Sequence, residues 1–66
     1  MLVIDARGLQ CPWPALRLAR SLRDHASGAV EIYADDPNAA RELEAVAAAQ
    51  HARFEIVAEH HFRVER

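Results

Sequence analysis

Hydrophobic residues follow the spacing of a strand and then that of a helix in the first half of the chain. Leu2-Val3-Ile4 is a short apolar run that ends at Asp5, and Gly8 follows in a predicted loop. Beyond Cys11, apolar residues recur three and four positions apart, which indicates one face of a helix. That face comprises Ala15, Leu18, Ala19, Leu22 and Ala26, with Leu16 at its edge. The solvated side carries Arg17, Arg20, Ser21 and Asp24.

The second half contains another strand, another helix and a hairpin. Gly28 is expected at the C′ position of the first helix, and residues 30–34 then alternate as a strand. A second helix is predicted to run to about Gln50, with an apolar stripe of Ala40, Leu43, Val46 and Ala47. On that helix we expect water to be faced by Arg41, Glu42 and Glu44. Residues 54–59 and 62–65 alternate on either side of a turn near His60, which predicts a hairpin.

The resulting order is β-α-β-α-β-β. Right-handed crossovers place both helices on one face of the sheet. We therefore predict a two-layer α/β (α+β) sandwich with a four-stranded mixed sheet. The chain of 66 residues has room for one such domain, residues 1–66.

Prolines mark both predicted helix starts. Proline is tolerated in the first helical turn, where backbone N–H groups lack intrahelical acceptors. Pro12 at N1 and Pro14 at N3 would make Cys11 the N-cap of the first helix. For the second helix, Asp36 is the expected N-cap and Pro37 the expected N1 residue.

Charge and composition exclude several classes of protein. The net charge is −2, whereas nucleic-acid modules usually carry a basic face, so direct nucleic-acid binding is not expected. All 8 basic residues are arginine, which excludes mechanisms that need a Schiff-base or P-loop lysine. No apolar run is long enough to span a membrane, and Asp5 comes too early for a signal peptide. We therefore expect a cytoplasmic protein without a membrane partner.

Cys11 is the candidate reactive residue and the single cysteine, so neither an internal disulfide nor a Cys-rich zinc site can form. A helix N-terminus favours thiolate over thiol, so an N-cap position predicts a lowered pKa for Cys11. Arg7 and Arg17 are near enough in sequence to add positive potential or to contact a partner. The alternative interpretation is a cysteine that serves only as a small apolar residue.

Two motifs connect the chain with a known family. Residues 5–17, DARGLQCPWPALR, resemble the D-x-x-G-L-x-C-P-x-P-x-L-[KR] signature of the TusA/SirA/YedF sulfur-carrier family. Residues 34–37, ADDP, resemble the second short motif of that family. The similarity extends over essentially the whole chain, including the order of its elements. Many members have Gly-His at the end of the second helix, where this chain has Gln50-His51. A left-handed backbone at Gln50 would be less favourable than at Gly.

The resemblance implies a sulfurtransferase that acts as much as a carrier as a catalyst. Cys11 would accept sulfane sulfur as a persulfide, without a cofactor or metal. The donor would be a cysteine desulfurase, a rhodanese-like protein or a DsrE-like protein, and a second protein would be the acceptor. Expected supporting residues are Pro12, Pro14, Gly8, Asp5, Arg7 and Arg17. Expected partner-binding residues are Trp13, Arg17 and Arg20.

Other polar residues have simpler explanations. His60 and His61 are adjacent, so on a strand they would point to opposite faces, and His25 lies about 20 Å along the helix from Cys11. All four histidines are therefore expected to be structural or solvent-facing, although an approach of His51 to Cys11 stays open. Helix capping explains Asp35 and Asp36 better than acid–base catalysis does. Asp5 is expected to bind loop amides rather than to act in catalysis.

Two other functions remain alternatives. The architecture resembles the C-terminal domain of translation initiation factor 3, so a regulatory module that binds RNA or protein is possible, because fold does not fix function. A thiol redox switch at Cys11 is the other alternative. The pathway is not determined by the sequence: tRNA thiolation, molybdenum-cofactor maturation, sulfur oxidation and selenium handling are all compatible with it.

Overall fold

The predicted order of elements is confirmed. The structure, a computed structural model, describes residues 2–24 and 28–66. Its strands are β1 (Leu2–Asp5), β2 (Ala29–Tyr33), β3 (Arg53–Ala58) and β4 (His61–Glu65). Its helices are α1 (Trp13–Asp24) and α2 (Ala39–Ala49). The predictions for His25 and Ala26 fall outside the described residues, and so does the end of α1 that Gly28 was expected to cap.

The four strands form one mixed sheet in the order β1-β2-β4-β3. β1 and β2 are parallel, with Ile4 opposite Ile32, because the crossover through α1 brings the chain back in the same direction. β4 lies antiparallel between β2 and β3. The predicted hairpin of the last two strands is therefore confirmed.

One face of the sheet and the two helices enclose the core. Ile4, Ile32 and Phe62 are buried and lie in one row across three strands. The helices cover this row with fully or almost fully buried side chains, namely Leu18 and Leu22 of α1 and Leu43 and Ala47 of α2. Both helices therefore lie on one face, as the pattern predicts.

The outer end of β3 is not covered by the helices. Ile56 is 61% exposed, although its position in the alternation matches that of Phe54, which packs against the core. The register with β4 shifts between Ile56 and Ala58, so Val57 is an extra residue in the ladder. This arrangement is a β-bulge at a sheet edge.

Both helices begin later than predicted. The N–H of Leu16 donates to the carbonyl of Pro12 at 3.1 Å, so Pro12 rather than Cys11 is the N-cap of α1, and that prediction is wrong. The N-cap of α2 is Asn38 rather than Asp36. Asp36 Oδ1 instead accepts the N–H of Asn38 at 2.8 Å, which closes a turn just before the helix.

The end of α2 explains how the chain accommodates Gln50. Gln50 has φ −97°, whereas the next residue, His51, has φ 58°. The N–H of Ala52 donates to Ala47 O at 2.8 Å, and that of His51 donates to Ala48 O at 3.1 Å. These two bonds form a Schellman motif with His51 at C′. The left-handed residue is therefore His51, and Gln50 avoids the unfavourable backbone considered above.

Candidate functional site

Cys11 lies at the surface, in the loop between β1 and α1. Its thiol is free, its side chain is exposed, and the Cys11–Pro12 peptide bond is cis. The N–H of Trp13 donates to the carbonyl of Gln10 at 2.9 Å, which closes a tight turn around the cysteine. The loop thus presents Cys11 to solvent immediately before the helix.

Two aspartates from the neighbouring loop hold the cysteine loop in place. Asp35 Oδ1 accepts the N–H of Gly8 at 2.9 Å, and Asp36 Oδ2 accepts the N–H of Cys11 at 3.1 Å. Gly8 has φ 83°, a left-handed conformation that suits glycine. The two aspartates therefore satisfy loop amides, in addition to the turn that Asp36 closes before α2. This role was not foreseen from the sequence.

Glu42 contacts the thiol directly. The S–H of Cys11 donates a hydrogen bond to Glu42 Oε2. The other carboxylate oxygen, Oε1, is buried and has no hydrogen-bond partner among the described residues. The prediction that Glu42 faces water is therefore wrong. Glu42 lies in the first turn of α2, and its hydrogen bond with Cys11 shows that its side chain faces the cysteine loop.

The surroundings of Cys11 favour the thiol over the thiolate. The hydrogen bond to Glu42 is the largest cause of a raised pKa for Cys11, followed by desolvation and by the negative charges of Glu42 and Asp36. Arg41 opposes these effects with a smaller lowering of the pKa. The prediction of a lowered pKa is therefore wrong, because the N-cap is Pro12 and a carboxylate binds the thiol.

Asp5 and Arg7 form a local pair beside the loop. Arg7 donates from Nε to Asp5 Oδ1 and from Nη2 to Asp5 Oδ2, both at 2.9 Å. Its backbone N–H also donates to Asp5 Oδ1 at 3.2 Å, which confirms the expected bond from Asp5 to a loop amide. These bonds lower the pKa of Asp5 to about 2. The guanidinium of Arg7 also lies 5.5 Å from the ring centre of Tyr33.

A groove between β1 and α1 contains the expected partner-binding residues. Trp13, Arg17 and Arg20 line it together with strand residues such as Val3, and its volume is about 630 Å³. Trp13, which is two residues from the cysteine in the chain, is 58% exposed. We call the surface formed by Val3, Trp13, Leu16, Arg17 and Arg20 the Trp13 groove. It combines exposed apolar surface with two arginines.

Neither His61 nor His51 is the partner of the Cys11 thiol, whose hydrogen bond goes to Glu42. His61 stacks on Tyr33 with ring centroids 4.2 Å apart and bonds to Glu31 at 2.8 Å. His51 follows α2 nine residues after Glu42, about 13 Å along the helix, so it does not approach the thiol. Within residues 2–24 and 28–66, no three metal-ligating side chains gather at one point. No helix in these ranges is long and apolar enough to cross a membrane.

The sequence contained a signal for part of what was missed. Since parallel neighbouring strands end at the same edge of a sheet, the loops that follow β1 and β2 must meet. This adjacency could have placed Asp35 and Asp36 beside the cysteine loop. No comparable signal marks Glu42, because a charged residue between apolar helical positions normally indicates a solvated face.

Comparisons with known proteins agree with this fold. The family described as sulfurtransferase TusA matches residues 2–65. Among solved structures, the chain is similar to the SirA-like protein from Desulfitobacterium hafniense, with 26% sequence identity and a TM-score of 0.83. That similarity covers 97% of this chain and 92% of the other. No curated protein sequence matches the chain significantly.

Proposed function

Because the chain belongs to the TusA sulfurtransferase family, we propose that Cys11 carries the transferred sulfur as a persulfide. The family assigns a role in sulfur transfer in general, and the residue and its chemistry are our inference. The observation that carries the proposal is the position of Cys11. It is the single cysteine of the chain, and it is exposed on a loop held by two neighbouring carboxylates.

The proposed transfer is an exchange between a thiol and a persulfide. The sulfur of Cys11, as thiolate, attacks the terminal sulfur of a donor persulfide, R–S–SH. A new S–S bond forms on Cys11, the S–S bond of the donor breaks, and its electron pair leaves with R–S⁻. The proton released by the Cys11 thiol balances that charge, so the products are Cys11–S–SH and R–SH. The same step in reverse order passes the sulfur to an acceptor, and no oxidant is consumed.

A single cysteine suits a carrier for a chemical reason. A second thiol in the same chain could attack the Cys11 sulfur of the persulfide. An internal disulfide would then form, and the carried sulfur would leave as hydrosulfide. Cys11 has no such neighbour in its own chain. The loaded protein therefore keeps its sulfur until another molecule supplies a thiol.

We propose protein partners for both steps. The donor is a cysteine desulfurase, a rhodanese-like protein or a DsrE-like protein, and the acceptor belongs to a cytoplasmic pathway such as tRNA thiolation, molybdenum-cofactor maturation or sulfur oxidation. These partners dock at the Trp13 groove, which adjoins Cys11 in the chain. Its two arginines favour an acidic partner surface, and Trp13 supplies the type of exposed aromatic anchor that is enriched at interfaces.

Loading with sulfur tests the proposal. Incubation with a cysteine desulfurase, its cofactor and L-cysteine should add the mass of one sulfur atom, and added thiol should remove it. Cys11→Ser should abolish loading and leave the circular dichroism spectrum unchanged, because the replaced side chain is exposed and lies outside the core.

The donor in that experiment is one of several candidates. The assay should therefore be repeated with thiosulfate plus rhodanese and with a small-molecule persulfide. Failure of the reduced protein to load from all three donors would contradict the carrier function. A binding module or a thiol redox switch would then be the better explanation.

A further inference from the structure

Glu42 is a carboxylate placed where a sulfur carrier has no evident need of one. A site that only activates a thiol would surround it with positive charge. Here the thiol instead donates a hydrogen bond to Glu42, and Asp36 binds the amide of the same cysteine. Both carboxylates belong to the segment that begins α2, so the fold brings negative charge to the sulfur.

The two states of the carrier would interact differently with this carboxylate. In the free state, the thiol is neutral and its S–H can donate to Glu42 Oε2. A hydropersulfide is a stronger acid than its parent thiol, so the loaded state is anionic over a wider range of pH. A persulfide anion has no proton to donate, and it is repelled by Glu42 and Asp36.

The second oxygen of Glu42 strengthens this asymmetry. Oε1 is buried and lacks a hydrogen-bond partner among the described residues. A carboxylate with one unsatisfied oxygen gains more from the bond that its other oxygen makes. The hydrogen bond from the free thiol therefore partly offsets the free-energy cost of burying the Glu42 carboxylate, and loading removes that hydrogen bond.

We propose that Glu42 biases Cys11 toward the unloaded state and so makes the protein a ready sulfur donor. This inference rests on the proposed function, because it concerns the equilibrium between the thiol and the persulfide of Cys11. Glu42 acts by its hydrogen bond to the free thiol and by its charge against the persulfide. It is a positioning residue, and the exchange itself remains as written above.

An exchange equilibrium measures this bias directly. Reduced protein is mixed anaerobically with glutathione hydropersulfide and glutathione at a fixed ratio, and the loaded fraction is read from the intact mass. Glu42→Gln keeps the shape of the side chain and removes its charge. We expect the ratio of loaded to free protein to rise roughly threefold or more, because the amide oxygen of glutamine binds the thiol more weakly than a carboxylate does and carries no charge that repels the persulfide. Glu44→Gln, an equal change of charge at an exposed position on the same helix, should leave the ratio unchanged.

The possible results separate this inference from the proposed function. If wild type and both variants all fail to load, the carrier function itself fails. If all load and Glu42→Gln gives the wild-type ratio or a lower one, the bias by Glu42 is refuted and the carrier function stands. An equal rise in Glu44→Gln would show a general effect of net charge and would also refute a specific role of Glu42.

A second measurement covers the case in which Glu42→Gln does not fold. The charged groups around the sulfur are Glu42 and Arg41 of α2 and Asp36 of the preceding turn. The midpoint of alkylation by iodoacetamide against pH should be higher in folded wild-type protein than in the same chain in urea. An equal or lower midpoint in the folded protein would contradict the inference. Where the variant does fold, its midpoint should shift downward from that of wild type.

Discussion

Replacement of Asp36 by Ala tests how the cysteine loop is fixed. Asp36 Oδ1 accepts the N–H of Asn38 at 2.8 Å, and Oδ2 accepts the N–H of Cys11 at 3.1 Å. One carboxylate thus joins the loop before α1 to the turn before α2. Alanine removes both acceptors and leaves both amides to find water.

The magnitude follows from these two bonds. A hydrogen bond contributes a net ~0.5–1.5 kcal/mol, so Asp36→Ala should lower the free energy of unfolding by about 1–3 kcal/mol. A chain of 66 residues has a total stability of about 3–10 kcal/mol. The melting temperature should fall by roughly 4–8 °C for each kcal/mol lost. Asp35→Ala removes one bond, to Gly8, and should cost about half as much.

Urea denaturation followed by circular dichroism measures both variants. The slope with denaturant should stay constant, so that a shift of the midpoint reports stability alone. Asp24→Ala is the control, because among the residues that the structure describes Asp24 pairs with Arg20 alone, at 3.8 Å in an exposed pair. The reasoning is refuted if Asp36→Ala costs no more than Asp24→Ala, or if Asp35→Ala costs more than Asp36→Ala.

Two further predictions concern docking and the core. Trp13→Ala should slow loading from a protein donor about tenfold or more and leave loading from a small-molecule persulfide unchanged, since an exposed aromatic anchor matters only to a docked partner. Val57→Ala, an exposed apolar residue on β3, is the control, and equal slowing with both donors would exclude a docking role. Leu43→Ala should lower the free energy of unfolding by about 2–5 kcal/mol in urea denaturation, because Leu43 is fully buried in the core between the helices and the sheet. A loss as small as that of Val57→Ala would show that the core repacks around the cavity.

The architecture was predictable because apolar residues alone encode it. Alternation marks β2 and β4, spacings of three and four mark both helices, and buried Leu18 and Leu43 lie where the pattern places them. The parallel pairing of β1 and β2 follows from the crossover through α1, which returns the chain in the same direction. These features depend on burial, which hydrophobicity reports directly.

The starts of the helices were less predictable because several positions satisfy the same local rules. Proline fits any of the first helical positions, where no backbone acceptor exists for an N–H. Pro12 and Pro14 therefore left the register of α1 open by one residue, and the structure makes Pro12 the N-cap. Asp36 does accept a backbone N–H two residues ahead, as an N-cap would, but it does so in a turn that precedes α2.

The electrostatics of the site could not be read from one segment of sequence. The predicted activation of Cys11 considered only its own helix and the nearby Arg7 and Arg17. The residue that determines its environment, Glu42, is 31 positions away in the chain and arrives through the packing of α2. Arg7 meanwhile pairs with Asp5. Long-range placement of a polar side chain leaves no trace in hydrophobic periodicity.

The bulge in β3 has a consequence for behaviour at high concentration. An edge strand with regularly spaced free amides and carbonyls can pair with the edge of another molecule and start aggregation. β3 is such an edge, and it exposes Ile56 and Val57 side by side. The extra residue at Val57 breaks the regular register there and increases the local twist. The bulge thus protects the most apolar part of this edge from intermolecular strand pairing.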